Sequence, residues 1–174
     1  GVYSYKISTK DKAGNTASAR IDNIIVDTEK PSINISIDSA SFSPNGDGVK
    51  DTVILTASVP VLSGLIQWNV TVSPKSGGAV RTYTGTSAPK AIVFDGKKDS
   101  GEAASEGDYQ AVITARYING YAPEARSPYF NLDVTAPEAL VRSSGPIFSP
   151  VGDGKLDTVT FTQQAGTETA WTGQ

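Results

Sequence analysis

The chain has 174 residues, with Lys+Arg 15 against Asp+Glu 18, a formal charge of −3 and a pI of about 4.9; bulk charge therefore argues against a nucleic-acid partner. Cys 0 and His 0 remove disulfides, thiol and imidazole metal ligands, the imidazole base and the cysteine nucleophile, which disfavours most enzyme classes; the carboxylates stand in no recognisable pair, so no catalytic residue is assigned. Gly 17 and Pro 10 in 174 residues, about 16% against an ordinary ~12%, call for many turns between short elements and favour an all-β fold.

The first segment, residues 1–30, alternates Tyr3, Tyr5 and Ile7, the period of a half-buried strand. It begins Gly1-Val2-Tyr3 in a chain with Met 0, and is expected to be a window on a longer protein whose targeting signal lies elsewhere. Its apolar run Ile24-Ile25-Val26 is far short of the roughly 20 residues of a membrane helix, so no membrane insertion by this segment is expected. The segment also returns 106 residues later. Gly1-Val2-Tyr3 reappears as Gly107-Asp108-Tyr109, Ile7 as Ile113, Gly14 as Gly120, Asp27 as Asp133 and Pro31 as Pro137. The match continues without a gap as Phe42-Ser43-Pro44-Asn45-Gly46-Asp47-Gly48 becomes Phe148-Ser149-Pro150-Val151-Gly152-Asp153-Gly154. A period of 106 residues is close to the ~100 of an immunoglobulin-type sandwich. The expected organisation is the last strands of a preceding repeat at 1–30, one complete repeat at 31–136, and the first strands of a following repeat at 137–174.

Within 31–136, period-2 alternation predicts strands through Ile33, Ile35, Ile37; Val53 to Val59; Ile66, Trp68, Val70, Val72; Val80 to Tyr83; Ala91 to Phe94; Tyr109 to Tyr117; and Phe130, Leu132, Val134. Seven strands suit an antiparallel, immunoglobulin-like Greek-key β-sandwich. Pro74 to Gly78, Asp95-Gly96, Gly101 and Asn119-Gly120 carry turn chemistry between them. Trp68 lies on the inward phase of its strand and reads as core in preference to a sugar platform.

Phe94-Asp95-Gly96, Asp99, Gly101 and Gly107-Asp108-Tyr109 together resemble the W-D-G…G-x-Y run of bacterial Ig-like domains related to that of the flagellar hook-capping protein, with Phe94 in the Trp position. Gly1-Val2-Tyr3, Asp11-Lys12-Ala13-Gly14-Asn15 and Asp27-Thr28-Glu29-Lys30-Pro31 are similar to the ending of tandem bacterial surface Ig-like repeats. Phe42 to Asp51 resembles the F-S-P-N-G-D-G-x-x-D opening of such domains in large envelope and secreted proteins. The resemblance implies an extracytoplasmic location in a cell envelope, at a surface or in secretion, and neighbouring Ig-like repeats as partners. It does not choose among spacer, adhesin stalk and scaffold.

One loop has the spacing of a cation site. Asn45, Asp47, Val49 and Asp51 fall at positions 3, 5, 7 and 9 of an EF-hand-like register, and Asp153 and Asp157 recur in the second copy, making Ca²⁺ the only cofactor to consider. Ile54 stands where a bidentate acid is wanted, and Val151 replaces Asn45. The competing reading is that these side chains hydrogen-bond their own backbone to hold a glycine-rich turn. In a sandwich, loops 38–51, 95–108 and 133–137 share one end, so Asp95, Asp99, Glu102, Glu106, Asp108, Asp133 and Glu138 are expected near Asp47 and Asp51.

The leading functional expectation is a non-catalytic structural or adhesive spacer. A carbohydrate-binding accessory domain of a secreted hydrolase and an assembly scaffold are the alternatives, and a protein or carbohydrate ligand at the cell surface is the partner they would bring. The sequons Asn34-Ile35-Ser36 and Asn69-Val70-Thr71 read as chance. Because a two-stranded hairpin is marginal alone, 1–30 and 137–174 are expected to complete each other between molecules as a strand-complemented oligomer of the truncated chain, a consequence of truncation and not the native state.

Overall fold

In the computed structural model, which describes residues 1–166 and 172, every regular element among the described residues is a β-strand. In chain order these are β1 Val2–Lys10, β2 Thr16–Ile25, β3 Asn34–Ile37, β4 Ser41–Phe42, β5 Val53–Ser58, β6 Leu65–Pro74, β7 Arg81–Gly85, β8 Ile92–Phe94, β9 Gly107–Tyr117, β10 Glu124–Arg126, β11 Phe130–Leu132, β12 Ala139–Ser143 and β13 Phe161–Ala165. The chain forms two units, Gly1–Asp133 and Val134–Gln174.

The centre of the first unit is an immunoglobulin-like β-sandwich. One sheet has the order β3-β5-β8; the other has β4-β11-β9-β6-β7, with β10 also paired to β9. Alternation dictates which side chains meet between the sheets: β9 buries Tyr109, Ala111, Ile113, Ala115 and Tyr117, and β5 buries Val53, Leu55 and Ala57. Four rings fill one end of the core. Phe42, Phe94, Tyr109 and Phe130 stand with centroids 5.7–6.2 Å apart, in the tilted and stacked geometries that aromatic quadrupoles favour. Burial raises the phenol pKa of Tyr109, and also those of Tyr117 and Tyr83; Tyr109 donates its hydroxyl to Ser105 O at 2.6 Å and Tyr117 to Val61 O at 2.8 Å. Trp68 is buried in the core and its Nε1 donates to Ser87 O at 2.6 Å.

Three local features depart from simple alternation. A bulge between Leu65 and Gln67 shifts the phase of β6, so Leu65 packs on the core and Ile66 is 42% exposed, contrary to the sequence pattern. The first strand changes sheets after Ile37, and β4 then pairs parallel with β11, Ser41 beside Asn131 and Phe42 beside Leu132; the sandwich is therefore not wholly antiparallel. The expected last strand through Phe130, Leu132 and Val134 ends at Leu132, with Val134 44% exposed, and a short strand that the sequence pattern did not mark, β10, precedes it; Pro128, with no N–H to give the ladder, separates the two. Buried Ser127 bridges the break, donating its N–H to Ala111 O and accepting Ala111 N–H on Oγ at 3.0 Å.

The repeat is visible in the hydrogen-bond register itself. β1 and β2 pair Ser8 with Ser18, Ile7 with Ala19 and Tyr3 with Ile24, and 106 residues on, Thr114 pairs with Glu124, Ile113 with Ala125 and Tyr109 with Phe130. In the second unit β12 and β13 pair Leu140 with Gln164 and Ser143 with Phe161, matching Asn34 with Ser58 and Ile37 with Leu55 in β3 and β5. Even a side-chain bridge is conserved in place while its chemistry changes: Ile54 N–H donates to Asp38 Oδ1, and Thr160 N–H to Ser144 Oγ.

Gly85 lies where any Cβ would meet the Trp68 indole at 2.4 Å. Gly85→Ala should therefore destabilise the sandwich by about 1–3 kcal/mol, the usual cost of overpacking, and urea unfolding is the measurement.

Candidate functional site

The loop between β4 and β5 is built by three residues of positive φ, Gly46 (84°), Gly48 (85°) and Lys50 (54°). Glycine relieves the steric cost at two of them. Asp51 supplies the organising anion: its two carboxylate oxygens accept the N–H groups of Gly46 and Gly48, each at 2.8 Å. Asp47 accepts from Val49 N–H at 2.8 Å and from Asn45 Nδ2 at 3.1 Å, and Asn45 Oδ1 accepts Asp47 N–H at 3.0 Å. Ser43 N–H donates to Lys50 O at 2.8 Å and closes the loop. The second copy repeats the construction. Gly152 and Gly154 donate to Asp157 at 2.8 and 2.7 Å, Lys155 N–H donates to Asp153 at 2.9 Å, and Ser149 N–H donates to Leu156 O at 2.7 Å. Val151 in the place of Asn45 leaves this path unchanged, so the amide of Asn45 is dispensable to the turn.

Of the acidic side chains expected to gather here, Asp133 lines one shallow depression of about 310 Å³ with Asn45, Asp47, Val49, Lys50 and Asn131. Others have partners of their own. Asp99 lies 3.7 Å from Arg81 Nε and accepts Thr82 N–H; Glu102 lies 3.5 Å from Lys98 Nζ; Asp95 accepts Lys97 N–H; and Asp108 accepts Asn131 Nδ2 at 3.1 Å. Glu138 belongs to the other unit. Among the described residues no group of three or more Asp or Glu side chains is arranged to hold a metal ion. The loops meet at this end, but their carboxylates do not form one cluster: Asp99, Glu102, Asp95 and Asp108 each face a local basic or amide group, which limits like-charge repulsion.

The same end of the sandwich is locked by a close approach. A Cβ on Gly96 (φ +73°) would stand 2.7 Å from Pro44 Cγ, so Asp95-Gly96 packs directly against the 43–51 loop.

A second site lies at the opposite approach to the sandwich. Asn119, in the turn between β9 and β10, donates through Nδ2 to Asp27 Oδ2 at 3.2 Å and to Glu29 O at 3.0 Å, while its Oδ1 accepts Tyr121 N–H. Pro31, just beyond, is buried. One side-chain amide thus ties the segment leaving β2 to the sandwich that follows. The sequence marked Asn119 only as a turn residue, and its repeat counterpart is Ala13, so periodicity gave no signal for this contact.

Of the aromatic rings in residues 33–132, Tyr129 alone is exposed, with Lys75 Nζ 5.6 Å above its centroid. No row of exposed rings forms on either sheet among the described residues.

No family model matches this chain, and no curated protein matches it. Among solved structures it is similar to one described as a tetra-tandem repeat in the extending region of a large adhesion protein, at 19% identity and a TM-score of 0.44. The match covers 95% of this chain and 38% of that chain.

Replacing Asp51 leaves two N–H groups without their charged acceptor. Asp51→Ala should cost about 1–3 kcal/mol of stability, with Asp51→Asn losing less. If the carboxylate acts only on the loop backbone, urea midpoints will fall by the same amount in calcium and in chelator.

Proposed function

We propose that this chain is a non-catalytic structural module, a stretch of a tandem array of Ig-like repeats that spaces or presents other parts of a larger extracytoplasmic protein. The observation that carries this reading is the recurrence of strand pairing at an offset of 106 residues, in the segments before and after the central sandwich in the sequence. The Asn119 contact adds to it: a link of a few residues, ending in buried Pro31 and clasped by a neighbouring turn, behaves as a restrained joint and not as a floppy tether. The extracytoplasmic setting rests on the sequence resemblance. The carbohydrate-binding alternative would need an aromatic platform, for which the sandwich offers Tyr129 alone. The scaffold alternative rests on resemblance only.

A protein of several consecutive repeats should give small-angle scattering of an extended, restricted chain, and Asn119→Ala should loosen the joint that it clasps without changing the unfolding free energy of the sandwich, measured in urea, by more than about 1 kcal/mol. A compact or freely jointed chain would overturn the spacer reading.

Calcium on the 43–51 loop is a second proposal, supported by Asp47 and Asp133 lining one depression with Asn45. A bound ion would raise the melting temperature by mass action, by the equivalent of about 2.7 kcal/mol at a hundredfold excess over Kd. Calorimetry in Ca²⁺ and in chelator measures this; identical curves leave the loop acids with their turn-holding role alone.

A further inference from the structure

Asn119-Gly120 is one of two Asn-Gly pairs in the chain, the other being Asn45-Gly46. Asparagine before glycine is the pair most given to losing its amide without an enzyme, because a following residue with no side chain leaves its backbone nitrogen free to approach the side-chain carbonyl carbon. Both pairs sit in turns whose glycine has positive φ, 82° at Gly120 and 84° at Gly46. On neither glycine does any atom beyond the chain neighbours lie within 4 Å of where a Cβ would stand, so there is room for a ring to close. The two pairs differ in what the amide does. Asn45 bonds within its own turn, to Asp47, and its repeat counterpart is Val151, so a change there is silent for the fold. Asn119 instead gives its Nδ2 group to two acceptors of another segment, Asp27 Oδ2 at 3.2 Å and Glu29 O at 3.0 Å.

We propose that Asn119 is a deamidation site, and that its conversion to a carboxylate releases the joint that the amide clasps. The inference takes from the spacer reading only that this contact restrains the segment after β2. The reaction needs water and no other reagent. The backbone nitrogen of Gly120 gives up its proton and attacks Asn119 Cγ; the Cγ–Nδ2 bond breaks, and Nδ2 leaves with that proton as ammonia, which closes a cyclic imide. Water then opens the ring. Addition at the side-chain carbonyl gives Asp, and addition at the backbone carbonyl gives the isomer in which the main chain runs through the former side chain. In the closed clasp the reacting groups are engaged: Gly120 N–H donates to Tyr117 O at 3.0 Å, Asn119 Oδ1 accepts Tyr121 N–H at 3.0 Å, and Nδ2 is shared between Asp27 and Glu29. Conversion therefore runs through local openings of the clasp, and its rate reports how often they occur. The product does not close the clasp again. Either isomer turns carboxylate oxygens, which have no proton to give, toward the Asp27 carboxylate and the Glu29 carbonyl, so two hydrogen bonds are exchanged for like-charge repulsion. The release is one-way, and each joint so altered stays loose.

The test follows the 174-residue chain through incubation in warm, mildly alkaline buffer. Peptide mass spectrometry should find NH2 exchanged for OH at residue 119, with Asp and its isomer separating as two species; no conversion there overturns the proposal. Asp27→Ala, which removes one acceptor of Nδ2, should speed conversion at 119 by about two- to tenfold, the factor by which losing one hydrogen bond raises the open population, and should leave the rate at Asn45 unchanged. An unaltered or slower rate at 119 in that variant overturns the gating by the clasp. The consequence for the joint is read separately. Because the chain has Cys 0, Ser8→Cys and Thr56→Cys, both at exposed positions, carry spin labels at those two sites alone, one on the hairpin and one on the sandwich. The distribution of distances between them should be broader in Asn119→Asp, and in the converted protein, than in the parent. A distribution unchanged in Asn119→Asp but broadened in Asn119→Ala overturns the release and leaves the clasp standing. One unchanged in both variants overturns the restrained joint as well.

Discussion

The sandwich depends on the packing of four rings, Phe42, Phe94, Tyr109 and Phe130, at one end of the core. Each ring comes from a different strand, and between them they join both sheets, including β4, which crosses from the first sheet to the edge of the second. Phe42 opens the 43–51 loop, Phe94 precedes Asp95-Gly96, and Tyr109 follows the positive-φ Gly107 (135°). The motifs that looked like separate signatures in the sequence are therefore the anchors of one cluster and the turns that leave it. Pairs of this kind are worth about 0.5–1.5 kcal/mol each beyond the area they bury, so the loops at this end inherit their position from the core.

That dependence explains the chemistry of the 43–51 loop. With Phe42 fixed on one side and Val53 on the other, the intervening chain has to reverse within a few residues, and it does so through left-handed residues whose N–H groups converge on Asp51. A carboxylate is suited to that role because it can accept from several directions at once. Each Asp51 oxygen thus accepts one of the loop's own amides.

Much of this was legible in the sequence because its causes are local. Alternation in β5 and β9 set which residues face inward, and the exact spacing of Gly46, Gly48 and Asp51 against Gly152, Gly154 and Asp157 marked one turn made twice. What escaped had causes that no single stretch contains. The bulge that turns Ile66 outward belongs to the pairing of β6 with β9. The parallel β4–β11 contact depends on strands almost ninety residues apart, and the pairing of Asp99 depends on where Arg81 falls in space. The Asn119 contact joins residues some ninety positions apart and involves a side chain that the repeat does not preserve.

That last difference has a mechanical consequence. The turn of the first hairpin carries Ala13 where the sandwich carries Asn119, and it spends its polar groups internally, with Asp11 accepting from Asn15 through both backbone and side chain; those bonds lower the pKa of Asp11. Repeats with the same strand register can therefore differ at their joints. Under a pulling load, a string of such domains would yield first where the amide clasp is absent, so that residues outside the core decide the order in which the string straightens.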